Sequence, residues 1–231
     1  MCNRFFNNIC NFFRGRGKDL PKNKLVVVDT DGSEKIVKKI KGLKIFFLNT
    51  GATVKVYKPF PHFKGCKIFC GKDALVSIKS SKHDILRLFI YATAKNSQCL
   101  IDEDFSVKKD CKLIVNKEAN KKISIGKDCM FATNVLIRTT DSHTIIDQKT
   151  KEVINYAQDI TIGDNVWLAY GVTVLKGANI ASGSIDGAES VVTKSCDEPN
   201  AIYAGVPAKK IRTNIKWYRD TVDEYLEKHA N

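Results

Sequence analysis

From residue 162 an apolar residue returns at every sixth position: Ile162, Leu168, Val174 and Ile180, then Asp186 out of pattern, then Val192. The same period runs upstream through Ile101, Val107, Leu113, Ala119, Ile125, Phe131 and Ile137, and more faintly through Leu48, Val54, Phe60 and Cys66. An amphipathic helix repeats every 3.6 residues and a half-buried strand every second residue, so neither gives a period of six. Small residues often follow the repeat residue (Gly126, Gly163, Ala169, Ala181, Gly187), and small or β-branched ones stand four places after it (Cys129, Val135, Val166, Val172). Short strands wound round a triangular prism need this pattern. The repeat residue points inward, the small residue lets the corner turn, and the second inward residue fills the space beside it. Stacked turns then bury a continuous core that no single repeat buries alone. The pattern predicts an all-β solenoid over residues 42–213.

The residues between His143 and Ile162 break the six-residue register, since Ile137 to Ile162 is 25 positions, and they include Asp147, Gln148, Lys149, Lys151 and Glu152. Residues 144–160 are therefore expected to project as a loop, the kind of element that carries function on a rigid scaffold. Directly before that loop stands His143, closing the run TTDSH, where the period would otherwise put an inward apolar residue. Residues 214–231 space Tyr218, Val222, Tyr225 and Leu226 on one helical face, which predicts a terminal helix covering the open end of the solenoid.

The stretch ISIGKDCMFATNVLIRTTDSH, and after the loop ITIGDNVWLAYGVTVLKGANIASGSIDGAESVVTKS and AGVPAKKIR, resembles the hexapeptide-repeat acyltransferases. Within them it is most similar to the galactoside, maltose and cell-surface polysaccharide O-acetyltransferases. The likeness covers residues 123–212, with weaker repeat continuity back to about residue 42. It implies a left-handed parallel β-helix, acetyl-CoA as acyl donor, a carbohydrate acceptor in polysaccharide biosynthesis, and a homotrimer with active sites between subunits. In that family a His precedes the loop and a Trp follows it in the motif IGxxVW; His143 and Trp167, 24 positions apart, match.

The resemblance makes His143 the general base, a role that suits imidazole at neutral pH. Asp141 would orient the ring, or cap a turn. Trp167 would form a wall against the pantetheine arm or the substrate, or pack at a prism corner. Ala169 and Ala188 fall where backbone approaches the pantetheine arm, because a branched side chain would block it. Thr193 and Lys194 match the TK that follows the GAxSVV run, and Lys209 and Arg212 match the basic ends of GxPAKxIR, facing CoA phosphates. Two residues depart from the pattern. Asp186 stands where an aliphatic residue belongs, and must be paired, protonated or rotated outward. Tyr170 replaces a small residue beside Trp167 and bears on the width of the groove.

Composition narrows the picture further. The chain has 231 residues, 43% apolar and 27% charged, as in an ordinary globular protein, and no apolar run long enough to span a membrane. Its formal net charge is +13, and residues 1–44 hold 11 basic and 4 acidic side chains. No nucleic-acid motif accompanies the charge, so most of it reads as solvated surface and no nucleic-acid partner is expected. Residues 1–41 form a basic segment with Phe5, Phe6, Ile9, Phe12 and Phe13 at helical spacing, followed by first strands. That segment has no signal-peptide pattern; it is expected to pack on the body of the protein, with a weak membrane-surface anchor as the alternative. Eight cysteines without a CxxC pair point to structural thiols in a cytoplasmic protein.

Three rival readings remain. An acetyltransferase of this superfamily with another small acceptor, such as an antibiotic or an amino sugar, fits the same motifs. A zinc hydratase on the same prism needs three His ligands, whereas the four here are scattered, and no metal is expected. A non-catalytic β-helix scaffold would make the His–Trp spacing coincidental.

Overall fold

The computed structural model describes residues 21–230; the Phe/Ile face of the first 13 residues, with Cys2 and Cys10, lies outside them. Three sheets of eight, eight and seven strands dominate the described residues. The chain visits them in rotation. Strand Thr53–Tyr57 lies in sheet I, His62–Lys64 in sheet II and Cys66–Cys70 in sheet III, and Leu75–Ile78 returns to sheet I beside the first. Each pairs in parallel with the strand one turn away. This is the three-sided parallel β-helix that the period predicts. At its two ends the pairing turns antiparallel, through Glu34–Ile36 against Lys24–Val28 and Lys209–Arg212 against Ile202–Ala204.

The length of a turn changes along the prism. Register partners Val54, Val76, Cys99 and Ile123 stand 22, 23 and 24 residues apart, whereas Ile162 and Ile180 stand 18 apart. Strands such as Leu75–Ile78 and Gln98–Ile101 in the longer turns bury two side chains each; Trp167–Leu168 and Thr173–Val174 in the short turns bury one. A strict period of six therefore belongs to the turns after Ile162. Upstream, Ile101, Val107, Leu113, Ile125, Phe131 and Ile137 do point into the core, but Leu48, Phe60 and Ala119 are exposed. The extra residues of the longer turns bulge at corners, and positions counted by six drift off the inward face there.

The corners themselves are turned by residues in the left-handed region. Asp104, Asp128, Asn165 and Gly183 have φ between 51° and 74°. The N–H of Asp128 donates to Glu103, that of Asn165 to Lys127 and that of Gly183 to Asp164, tying each corner to the one before. Asp, Asn and Gly adopt this conformation at low cost. The small residues also govern spacing between turns. A Cβ on Gly126 would lie 2.7 Å from the backbone of Gly163, so glycine lets stacked turns approach.

Cysteines fill the interior. The thiols of Cys66, Cys111 and Cys129 donate to the carbonyls of Ile85, Ala132 and Gly163, each at 3.1 Å. Burial pushes Cys70, Cys111 and Cys129 up to about 12, far from a nucleophile's range at neutral pH.

The C-terminal helix spans Val222–His229, with Thr221 and Glu224 forming a capping box, and it buries no residue. Tyr218, Val222, Tyr225 and Leu226 therefore do not cover the end of the solenoid; the Tyr218 and Tyr225 rings pack on each other at 4.7 Å. The extended run before the helix makes the attachment instead. Trp217 is buried, its indole N–H donating to the Asn165 carbonyl at 2.8 Å. Arg219 donates to the Asp128 carboxylate, to Ser106 Oγ and to the carbonyls of Asp104, Asp128 and Cys129. One aromatic wedge and one guanidinium outweigh a short helix whose apolar stripe is too narrow to anchor it.

Candidate active site

Strand Leu136–Arg138 ends at the corner between sheets III and I, and the chain leaves the prism there to rejoin it at Ile160–Ile162. The base of this loop is clamped. Glu118 accepts the Ala157 N–H through both carboxylate oxygens (3.0 and 2.9 Å), and Gln158 N–H donates to the Thr139 carbonyl. Arg138 donates to the Thr140 carbonyl at 2.8 Å and to Ser142 Oγ at 3.0 Å. Further out, Ile146 and Val153 form an antiparallel bridge, and Asp147 Oδ1 accepts from the N–H groups of Lys149 and Thr150. The loop is thus a braced ribbon.

His143 stands exposed at its foot. Its carbonyl accepts from Asn155 Nδ2 at 2.8 Å, while among the described residues no hydrogen bond engages the imidazole. The same Asn155 amide donates to Asp141 Oδ2 at 3.1 Å, and its oxygen accepts from the Ile145 N–H at 2.7 Å. Asp141 is also paired with the Lys176 ammonium, which reaches over from the next turn and donates to the Asn155 carbonyl at 2.8 Å. That hydrogen bond to Lys176 holds the Asp141 carboxyl below its usual range. Within this chain Asp141 therefore braces the backbone around His143, and its carboxylate is turned to Lys176 and Asn155 and not to the ring. The repeat pattern does not mark Asn155, Lys176 or Glu118. Lys176 is legible only as a corner of the repeat, and Asn155 sits in a loop that breaks the register, so no periodicity points to it.

The remaining expected residues divide between two corners. Thr193 and Lys194 follow Val191–Val192, which stacks through Thr173–Val174 on Leu136–Arg138, and so lie exposed in the column of His143 and Lys176. Ala169 and Ala188 follow Trp167–Leu168 and Ile185–Asp186 at the corner between sheets II and III. A Cβ on the adjacent Gly187 would lie 2.9 Å from that of Ala204, so the turns stack closely where Ala188 faces outward. Lys209 and Arg212 are exposed on the last strand of sheet II. Tyr170, at the same corner as Ala169, is exposed, and its hydroxyl accepts from Asn134 Nδ2 at 3.3 Å. Small residues and flanking cations thus border the C-terminal end of sheet III on both sides.

Trp167 points outward from sheet II, with its ring 6.0 Å from that of Trp217. With Lys82, His83, Ser106, Lys108 and Met130 it lines an open cleft of about 590 Å³. Sheet II is the face opposite the corner that carries His143. One protomer therefore does not bring His143 and Trp167 together.

Asp186 is fully buried and points inward, in register with Leu168 and Tyr203. Its Oδ1 lies 3.9 Å from Cys196 Sγ, and Oδ2 has no partner among the described residues. Burial pushes the carboxyl up to about 7. Of the three options for this residue, protonation inside the core is the one its surroundings favour near neutral pH.

No family model matches the chain. It is 38% identical over 150 residues to a polysialic acid O-acetyltransferase of Escherichia coli O1:K1 / APEC, covering 64% of this chain and 47% of that protein. It is 40% identical over 124 residues to a probable macrolide acetyltransferase of Lysinibacillus sphaericus, covering 46% of this chain and 67% of that one. The chain belongs to the hexapeptide-repeat acyltransferases. A solved polysialic acid O-acetyltransferase shares the fold, with a TM-score of 0.51 at 24% identity over 91% of this chain and 97% of that one. The prism of this hexapeptide-repeat protein is a left-handed parallel β-helix. The chain spans about half the length of most curated relatives it matches.

Proposed function

We propose that this protein moves an acetyl group from acetyl-CoA to a sugar hydroxyl of a bacterial surface polysaccharide or its precursor. The observation that carries the reading is His143: an exposed imidazole on a backbone held by Asn155, Asp141 and Lys176, at the foot of a braced loop. The ring takes the proton of the acceptor hydroxyl as that oxygen attacks the thioester carbonyl. The tetrahedral oxyanion needs N–H donors, and its collapse expels the CoA thiolate, which recovers the proton from the imidazolium. Thr193 and Lys194 on one border of sheet III, and Ala169, Ala188, Lys209 and Arg212 toward the other, would hold the donor. The alanines admit a narrow pantetheine arm, and the cations suit its phosphates.

The polysaccharide acceptor is supported by the relatives that are named for polysialic acid. A second reading, acetylation of an antibiotic, draws on the relative named as a probable macrolide acetyltransferase. A trimer is supported by two features. His143 and Trp167 lie on opposite sides of one prism, so a shared site needs a neighbouring chain. The loop also exposes Ile145, Ile146, Ile154 and Tyr156, apolar surface suited to packing on another copy. No helix among the described residues is long and apolar enough to cross a membrane, and a cytoplasmic site of action accords with the free thiols of this chain.

The test is acetyl transfer from acetyl-CoA to a panel of glycans and macrolides by the wild type and by His143→Ala, with free CoA read by a thiol assay and the product by mass. Glycan-dependent turnover lost in the variant, with CoA binding retained, supports the reading. Turnover on macrolides alone moves the acceptor, and the absence of CoA binding overturns the enzyme assignment.

A further inference from the structure

We infer that the N-terminal end of the prism docks on an anionic membrane surface. Three terminal strands meet there: Glu34–Ile36 ends sheet I, His62–Lys64 ends sheet II and Leu43–Phe47 ends sheet III. Between the ribbon Lys24–Val28/Glu34–Ile36 and the run 58–63 lies a cleft of about 650 Å³. Val27, Ile40, Phe60 and Phe63 give it apolar walls, and Lys35, Lys39, Lys41 and Lys58 stand around it.

The charge at this end is one-sided. Residues 22–44 hold seven lysines and three carboxylates. Two of those carboxylates are engaged by lysines of the next turn, Asp29 by Lys58 at 2.6 Å and Glu34 by Lys55 at 2.5 Å. Among the described residues no carboxylate lies within ion-pair distance of Lys35, Lys38, Lys39 or Lys41, and all four are exposed. Beside them Ile36 and Phe60 present their side chains to solvent, at 66% and 38%. Lysines surrounding exposed apolar side chains match a bilayer interface, where the cations meet lipid phosphates and the apolar groups enter the headgroup boundary. A soluble anionic glycan would satisfy the lysines and leave Ile36, Phe60 and the apolar walls without a counterpart.

Docked this way, the prism axis carries the loop away from the bilayer. Leu136–Arg138 is the fifth strand of sheet III counted from this end. Four inter-strand spacings place the His143 corner roughly 20 Å from the surface. An acceptor still attached to a membrane carrier would come within reach of that corner; the docking itself does not depend on what the corner does.

The experiment is flotation of the full-length protein with vesicles of pure phosphatidylcholine and with vesicles containing roughly one-third phosphatidylglycerol. The wild type should float only with the anionic vesicles, and high salt should release it. The quadruple variant Lys35→Gln/Lys38→Gln/Lys39→Gln/Lys41→Gln should lose at least about tenfold in partitioning. A control that removes the same charge elsewhere, Lys72→Gln/Lys109→Gln/Lys112→Gln/Lys117→Gln, should float nearly as the wild type does. Thermal melting of both variants establishes that they are folded. Equal loss in both variants, no loss in the first, or flotation independent of phosphatidylglycerol each overturns the proposal. So does wild-type binding to a soluble anionic polysaccharide with no flotation at all.

Discussion

At Asp186 the six-residue pattern and the chemistry of a carboxylate oppose each other, and the pattern prevails. The backbone places this residue inward whatever its side chain, between Leu168 and Tyr203, so the carboxyl responds by holding its proton up to about pH 7. In the unfolded chain it ionises near the ordinary carboxylate value of 3.8. Between those values the folded state binds a proton that the unfolded state has lost, so stability falls as pH rises and levels off above 7. The shift corresponds to about 4 kcal/mol over that window. Asp186→Asn removes the titration, and its unfolding midpoint in urea should vary less between pH 5 and pH 8 than that of the wild type, with the gain at pH 8. His143 gives the contrasting case. Because it is exposed, His143→Ala should melt with the wild type while transfer activity is lost.

Two elements hang on few contacts, and each can be released separately. The loop that carries His143 is closed at its base by Glu118 and braced at its foot by Asn155 and Lys176. Lys176→Met leaves Asp141 with one partner fewer and should lower transfer about tenfold. Because the prism core is untouched, its melting curve should shift little. The C-terminal run is held by Trp217 and the five hydrogen bonds of Arg219. Arg219→Ala should cost about 2 kcal/mol in denaturant unfolding and expose the indole of Trp217, read as a red shift in tryptophan fluorescence.

For the whole molecule, the placement of His143 and Trp167 on opposite sides of the prism makes an assembly prediction. If each site takes His143 from one chain and Trp167 from its neighbour, His143→Ala and Trp167→Ala proteins are each inactive alone. Refolded together in equal amounts they should regain roughly one quarter of wild-type activity, because that fraction of interfaces receives both intact residues. No recovery would overturn a site that combines His143 of one chain with Trp167 of its neighbour.

The amino-acid sequence by itself determined the architecture and the candidate base. A parallel β-helix writes its core as a repeat, because every turn must present apolar residues to the same axis, and His143 is conspicuous as a polar residue where that repeat breaks off. It determined less where turns lengthen. Leu48, Phe60 and Ala119 keep the count of six but sit outside the core, since corner bulges are tolerated without any mark in the hydrophobic pattern. What only the tertiary structure decided depends on contacts between different turns. The partners of Asp141 come from Lys176, 35 positions on, and from Asn155 across a non-repeating loop. The division of the residues proposed to hold the donor between two corners follows from which strand stacks on which. The attachment of the C-terminus by Arg219 instead of a helix face rests on backbone carbonyls along a corner column, and backbone groups carry no signature in sequence.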